Sequence, residues 1–173
     1  MIIPFERSYW VVPSLLLAGG IPASPMPGES FTKLNSLKKS GIKYIVNLME
    51  PTELNNQGEP FFNYAAHLAE RGIQFFRSPI IDAGIPSQEQ MIDILDHIDL
   101  YVHAKIPVYV HCYGGIGRTG LVVGCYLIRH GYAHAGNVIE MLKYLKRTTS
   151  IHTRRSPETD LQRQFLLNWS INQ

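Results

Sequence analysis

Residues 106–120 read IPVYVHCYGGIGRTG: an apolar, β-branched run, then four glycines within seven positions, then the start of a helical pattern. A buried strand that opens through a glycine-rich turn straight into a helix confines the chain to α/β architectures. In that geometry the turn's N–H groups and the positive end of the helix converge on one point, which is a place for an anion. Two chemistries fit the spacing. Gly115 to Gly120 is a G-x-G-x-x-G, the loop that holds a dinucleotide's pyrophosphate. Cys112, five residues and Arg118 form a C-x5-R cradle for a single phosphate, with a nucleophilic sulfur at its base.

The remaining chain supplies the frame. The polar, Pro/Gly-rich GGIPASPMPGES, residues 19–30, reads as a surface loop. Ser30 then caps a helix through Lys39 that stops at Gly41, and IKYIVNLM comes next as a buried strand. A helix spans 61–71 and closes at Gly72, and IQFFRSPI is the next strand. Ser87 with Gln90 makes a capping-box start for a helix through His103, with Met91, Ile94, Leu95 and Ile98 along its inner face. Strand IPVYVH leads into helices at 118–129, 137–147 and 158–168. The alternation predicts a mostly parallel central sheet of about five strands flanked by helices on both faces. Ligands of such sheets bind beyond the carboxyl ends of the strands, where HCYGGIGRTG falls.

With 173 residues and 45% apolar content, residues 1–173 are expected to form one domain with a core that needs no metal or disulfide. Only Cys112 and Cys125 occur, which favours a reducing compartment, the cytoplasm. YWVVPSLLLAGG has a faint likeness to a signal-peptide core, but Pro13 interrupts it and no run approaches a membrane span. Charge is uneven: residues 1–100 carry 7 Lys/Arg against 11 Asp/Glu, and residues 101–173 carry 9 against 3. A basic second part without a Lys/Arg run or an aromatic ladder suits a phosphate-bearing substrate and excludes a nucleic-acid binder.

The dinucleotide reading requires a further strand after the glycine-led helix and an acidic residue about 20 positions on. Glu140 has the offset, yet it lies in NVIEMLKYLKR, where Val138, Met141, Leu142 and Leu145 are spaced as on a helix face. The strand is missing, and the residues after Gly120 are too few for the second half of such a fold. The cysteine reading needs a thiolate, and the inward N–H groups of residues 113–118, the helix end and Arg118 all favour the charged sulfur. The same donors fit the three equatorial oxygens of a phosphoryl group in transfer, and Arg118 can grip two of them.

HCYGGIGRTG resembles the signature loop of the cysteine-dependent protein tyrosine phosphatase superfamily, in its dual-specificity branch. WVVPSLLLAGGIP, IVNLMEPTELN, PIIDAGIP and SPETDLQRQF resemble further stations of that family, so the likeness covers residues 9–169. It implies Cys112 as nucleophile, Arg118 as phosphate grip, and Asp82 on a mobile loop as general acid, a role worth about 100- to 10,000-fold. It implies Thr119 as the hydroxyl that hydrogen-bonds the sulfur as it leaves phosphorus. His111 is read as a support of the loop, and Tyr113, Gly114, Gly115, Ile116 and Gly117 as the substrate cradle. Large tyrosine phosphatases place a water-positioning Gln in the tail. Glu158 and Gln162 both stand there in this chain, and Glu158 serves equally as an acidic first helical turn. Cys125 reads as core, with a resolving thiol as the competing role. His130 and His134, four apart across Gly131, make no zinc site.

The implied reaction is hydrolysis of phosphotyrosine, with phosphoserine and phosphothreonine, in a phosphoprotein or phosphopeptide. It proceeds through a cysteinyl-phosphate without metal or cofactor, and the cradle would bind vanadate, tungstate or sulfate. YGGIG lacks the lysines that phosphoinositide phosphatases of the superfamily place in this loop, and Tyr113 and Ile116 are expected to rim a shallow cleft. Arg147, Arg154 and Arg155 are candidates to meet acidic flanks. Sulfurtransferase and arsenate reductase loops also use a cysteine, with a shorter spacing or additional thiols. Because attack needs an ionised Cys112 and a protonated Asp82 together, kcat/KM measured across pH is expected to fall on both sides of a mildly acidic optimum.

Overall fold

The computed structural model describes residues 3–170. In chain order its elements are β1 (Ser8–Val12), β2 (Leu16–Gly19), α1 (Pro27–Lys39), β3 (Tyr44–Asn47), β4 (Gln74–Arg77), α2 (Gln88–His103), β5 (Val108–His111), α3 (Arg118–Arg129), α4 (Val138–Lys146) and α5 (Asp160–Leu167). One sheet takes the order β1-β2-β5-β3-β4. β1 and β2 pair antiparallel, while β2 with β5, β5 with β3 and β3 with β4 are parallel. The expected mostly parallel five-stranded sheet is therefore what forms, and its first two strands come from the apolar stretch that looked faintly like a signal core.

Side chains alternate across the sheet as strand geometry demands. Leu16, Ala18, Tyr44, Val46, Val108 and Val110 face a core shared with α2, α3, α4 and α5. Leu17, Ile45 and Tyr109 face the other way, onto Leu34 and Leu37 of α1 and onto Tyr64 and Leu68. Helical cover thus lies on both faces, and the stripe Met91, Ile94, Leu95 and Ile98 of α2 is buried as its spacing required.

Four local expectations are corrected. α1 begins at Pro27, in the first-turn position where a missing N–H costs nothing. Ser30 is consequently not its cap but a buried residue bonded to Ser24 and Met26. The surface loop expected at 19–30 is buried at its start, where Gly19 and Gly20 lie inside the molecule. Residues 61–71 form two 3-10 turns, Tyr64–His67 and Ala69–Arg71, instead of one α-helix: only Tyr64 and Leu68 are buried there and no side chain caps the start. Ser87 caps α2 by accepting from the Gln90 N–H, but the Gln90 amide leaves the capping box and donates to Ser78 Oγ at 3.1 Å and Pro79 O at 2.9 Å.

Gly19, His111, Asn47 and Arg77 stand side by side in register at the carboxyl edge of β2, β5, β3 and β4. The segments that leave this row, after each of the four strands, therefore meet above one edge of the sheet. The turn after β5 is pressed against the end of β2, with Ile21 N–H donating to Tyr113 O at 3.0 Å. Gly115 there has φ +75°, and a Cβ on it would lie 2.5 Å from Gly19 C and 2.6 Å from Gly20 N. Left-handed backbone and backbone crowding both demand glycine. Gly115→Ala is expected to cost at least about 1–3 kcal/mol of stability and to displace the turn, read by thermal unfolding together with vanadate binding. Wild-type values for both would contradict the packing described.

Candidate active site

The turn at residues 112–117 is the floor of a cleft of about 500 Å³. Cys112, Tyr113, Gly114, Ile116, Gly117 and Arg118 line it from below, and Asp82, Ala83 and Glu158 from the side. Among residues singled out from the sequence, His111, Gly115 and Thr119 lie behind the floor rather than on it. Tyr113 packs on Phe61 with ring centroids 5.4 Å apart, and Ile116 is nearly covered. Of the three candidate rim arginines only Arg154 reaches the cleft. Arg147 lies over the Tyr144 ring at 3.7 Å, and Arg155 pairs with Asp160.

Arg118 is the most strongly engaged group. It opens α3 and is 2% exposed, so its charge needs partners. Glu53, from the segment after β3, takes both terminal nitrogens: Oε1 accepts from Nη1, and Oε2 accepts from Nη2 at 2.9 Å. Nη1 also donates to Ile80 O at 3.0 Å, and Nη2 meets Asp82 Oδ1 at 2.8 Å. Burial pulls the guanidinium's pKa down, but the Glu53 hydrogen bond and the charges of Cys112, Glu53 and Asp82 more than offset it, so the net direction is upward. Glu53 was not among the residues singled out from the sequence. Its Oε1 also accepts the Glu50 N–H at 2.8 Å, a turn that IVNLMEPTELN does not announce.

Behind the nucleophile, His111 is fully buried between Tyr64 and its own chain. Its Nδ1 is 3.1 Å from Cys112 O and its Nε2 is 2.6 Å from the Tyr64 hydroxyl. A carbonyl can only accept, so Nδ1 carries the hydrogen and Tyr64 donates to Nε2. Burial is the main cause that brings the His111 pKa from 6.5 down to about 3, with the Cys112 carbonyl opposing and Arg77 and Arg118 adding to the fall. The ring is therefore a neutral strut under the turn. Thr119 donates its hydroxyl to Gly19 O at 3.2 Å. Cys125 is fully buried on α3, and burial pushes its thiol well above the usual range.

The two tail candidates separate. Glu158 lines the cleft and pairs with Arg154 at 3.3 Å. Gln162 is fully buried; its Oε1 accepts from the N–H groups of Glu158 and Thr159, and its Nε2 donates to Gly84 O at 3.0 Å. Among the described residues no group of three or more His, Cys, Asp or Glu is arranged to hold a metal ion.

The arrangement brings the side chains of Cys112, Arg118 and Asp82 to one cleft floored by the glycine-rich turn. A family model described as a polymorphic toxin system DSP-PTPase phosphatase matches residues 24–132. Protein tyrosine phosphatase domain-containing protein 1 of Bos taurus is 31% identical over 153 residues, covering 85% of this chain and 19% of that protein. The chain thus spans about a fifth of the length of that relative. Among solved structures, kinase associated phosphatase with its catalytic-site cysteine replaced by serine superposes with a TM-score of 0.75 at 21% identity, covering 92% of this chain and 90% of that one. PTPMT1 in complex with PI(5)P gives 0.72 at 17% identity, covering 95% and 94%. At those identities the two structures speak for the fold. The family match, which takes in more than half of the sequence including the whole C-x5-R turn, speaks for more: the chain belongs to the DSP-PTPase phosphatases, in the cysteine-based protein tyrosine phosphatase superfamily.

Proposed function

We propose that this chain is a protein phosphatase that hydrolyses phosphotyrosine, and phosphoserine or phosphothreonine, in phosphoproteins or phosphopeptides. The carrying observation is that Cys112, Arg118 and Asp82, which arrive on separate segments, share one cleft, with Arg118 Nη2 and Asp82 Oδ1 2.8 Å apart. Glu53 and Ile80 occupy three of the four N–H bonds on the terminal nitrogens of Arg118. The fourth, now on Asp82, and Nε–H are left to grip two phosphoryl oxygens. An arriving phosphate takes the Nη2 donor and frees the Asp82 carboxyl for the leaving oxygen.

In the first step the Cys112 sulfur attacks phosphorus, the P–O bond to the substrate breaks, and Asp82 passes its proton to the departing oxygen. In the second, water attacks the cysteinyl-phosphate and gives its proton to Asp82, the P–S bond breaks, and phosphate leaves. Thr119 turns its hydroxyl from Gly19 O to the departing sulfur, while His111 holds the Cys112 carbonyl. The cleft is lined by the turn residues Tyr113, Gly114, Ile116 and Gly117 and by no lysine. That supports a single phosphate on a side chain over a headgroup with several. Cysteine usage, two residues with one of them the nucleophile of this reading, favours a reducing compartment, the cytoplasm.

Hydrolysis of p-nitrophenyl phosphate and of a phosphopeptide panel, with a phosphoinositide panel beside them, tests the proposal. Wild type is expected to be active and blocked by vanadate, Cys112→Ser inactive, and Asp82→Asn slowed about 100-fold or more on phosphopeptides while still binding them. An active Cys112→Ser variant would sink the scheme, and turnover confined to phosphoinositides would sink the substrate class.

His111 supplies a separate test. Its folded-state pKa lies below its ordinary value, so the unfolded chain takes up the proton first as pH falls. The stability it contributes is complete above 6.5 and drains away as pH drops towards about 3. Asn keeps a donor for the Cys112 carbonyl but does not titrate, so His111→Asn is expected to flatten the denaturation free energy over that window. An unchanged slope would assign the acid sensitivity elsewhere.

A further inference from the structure

The start of α5 does more than cap a helix. Thr159 Oγ1 accepts the Gln162 N–H at 3.2 Å, and Gln162 Oε1 closes the box on the N–H groups of Glu158 at 3.1 Å and Thr159 at 3.3 Å. A capping box uses only the acceptor end of its third residue and leaves the other end to solvent. Here that other end is buried and spent: Gln162 Nε2 donates to Gly84 O at 3.0 Å, and the Thr159 hydroxyl donates to Ala83 O at 3.2 Å. Two side chains of one helix start thus hold two consecutive carbonyls directly after Asp82.

The segment they hold is strained. Ala83 has φ +59°, left-handed backbone that a residue with a Cβ keeps only when its surroundings impose it. The Gly84 N–H folds back on Ile81 O at 2.9 Å to close the turn. The other end of the loop is tied independently, by Gln90 to Ser78 and Pro79 and by Arg118 to Ile80 O. Asp82 itself has a side chain 70% exposed, so little packing fixes its carboxylate. Apart from the Arg118 contact at 2.8 Å, which an arriving phosphate takes over, its direction is set by the turn that carries it, and α5 holds that turn.

We propose that Gln162 is a positioning residue for Asp82, acting through its amide N–H on Gly84 O to hold the Ala83 turn so that the carboxyl faces the leaving oxygen. The inference rests on the reading of Asp82 as general acid. It also removes Gln162 from the role of water positioner, since both ends of its amide are already used. Loss of the Nε2 donor lets Ala83 relax toward ordinary backbone and swings the acid away, and a displacement of about 1 Å can cost about 100-fold in rate.

Gln162→Glu keeps an acceptor for the capping box and deletes the donor to Gly84, and Gln162→Met deletes the donor without adding charge. The measurement is kcat/KM for phenyl phosphate, whose poor leaving group needs the acid, against p-nitrophenyl phosphate, whose good one needs it little. It is made in wild type, both Gln162 variants, Asp82→Asn and the Gln162→Glu/Asp82→Asn double variant, with melting temperature and vanadate inhibition alongside. Both Gln162 variants are expected to lose about tenfold on phenyl phosphate and clearly less on p-nitrophenyl phosphate, with vanadate inhibition within about twofold of wild type. In the Asp82→Asn background the Gln162 change is expected to add nothing on phenyl phosphate. Equal losses on the two substrates, a split seen with Glu but not Met, or additive losses in the double variant would overturn the proposal. An Asp82→Asn enzyme that keeps the wild-type ratio of the two substrates would overturn the acid reading and this one with it. A shifted ratio in Asp82→Asn beside an unshifted one in both Gln162 variants would overturn the role of Gln162 alone.

Discussion

A single buried cation organises the functional end of this molecule. Arg118 joins the segment after β3, through Glu53, to the segment after β4, through Ile80 O and Asp82, while its own backbone opens α3 after β5. Removing one partner of a buried pair typically costs about 3–5 kcal/mol, because the other charge is left without compensation. The two carboxylates on the guanidinium are not equivalent, however. Glu53 is only 14% exposed and binds in two-pronged fashion, whereas Asp82 is largely in solvent and binds through one oxygen. Water screens the second contact strongly and the first little. Glu53 is therefore the tightly held counter-ion of Arg118 and Asp82 the loosely held one, which in the proposed reaction gives way to an incoming phosphate.

Beneath that hub the sheet supplies the precision. The Gly19–His111–Asn47–Arg77 row brings four chain segments out at one level. Three of its members bind the segments packed above them: Gly19 O accepts from Thr119, His111 holds the Cys112 carbonyl, and Asn47 Oδ1 accepts the Met49 N–H at 2.8 Å. A neutral histidine suits this place better than a charged one, since Arg77 and Arg118 both oppose a third positive charge there.

How much could be read in the sequence depends on the range of the interactions involved. The bounds of α3 were legible because a strand, a glycine turn and a helical pattern stand next to one another, and the inner face of α2 because its period is intact. That Cys112 and Arg118 share one turn was legible because their spacing is local, whereas Asp82 was singled out by the resemblance of PIIDAGIP; all three line one cleft. β1 and β2 were not, since Leu16–Gly19 is buried on both faces and shows none of the polar alternation that marks a strand. Glu53 was missed because its meaning lies in a partner 65 residues away. Gln162 was noticed only beside Glu158 as a candidate water positioner: the box with Thr159 is local, but the bond to Gly84 crosses 78 residues.

Long-range charge does less here than the sequence implied. Most basic residues after position 100 have partners within the molecule: Arg118 on Glu53 and Asp82, Arg129 on Asp96 and Asp99, Lys143 on Glu140, Arg154 on Glu158 and Arg155 on Asp160. Lys146, pulled down to about 8 by burial and by Arg154 and Arg163, spends its ammonium on Arg154 O at 2.7 Å. At the cleft itself, Arg7, Arg118 and Arg154 face Glu6, Asp82 and Glu158. A rim so balanced casts little field beyond a Debye length of about 8 Å, so it cannot select a partner by attracting it from afar. Selection must then occur at contact, on the floor and sides of the cleft itself. Such a cleft discriminates by how deeply a phosphate can enter between Asp82, Ala83 and Glu158 at its side and the turn at its floor, whatever molecule carries that phosphate.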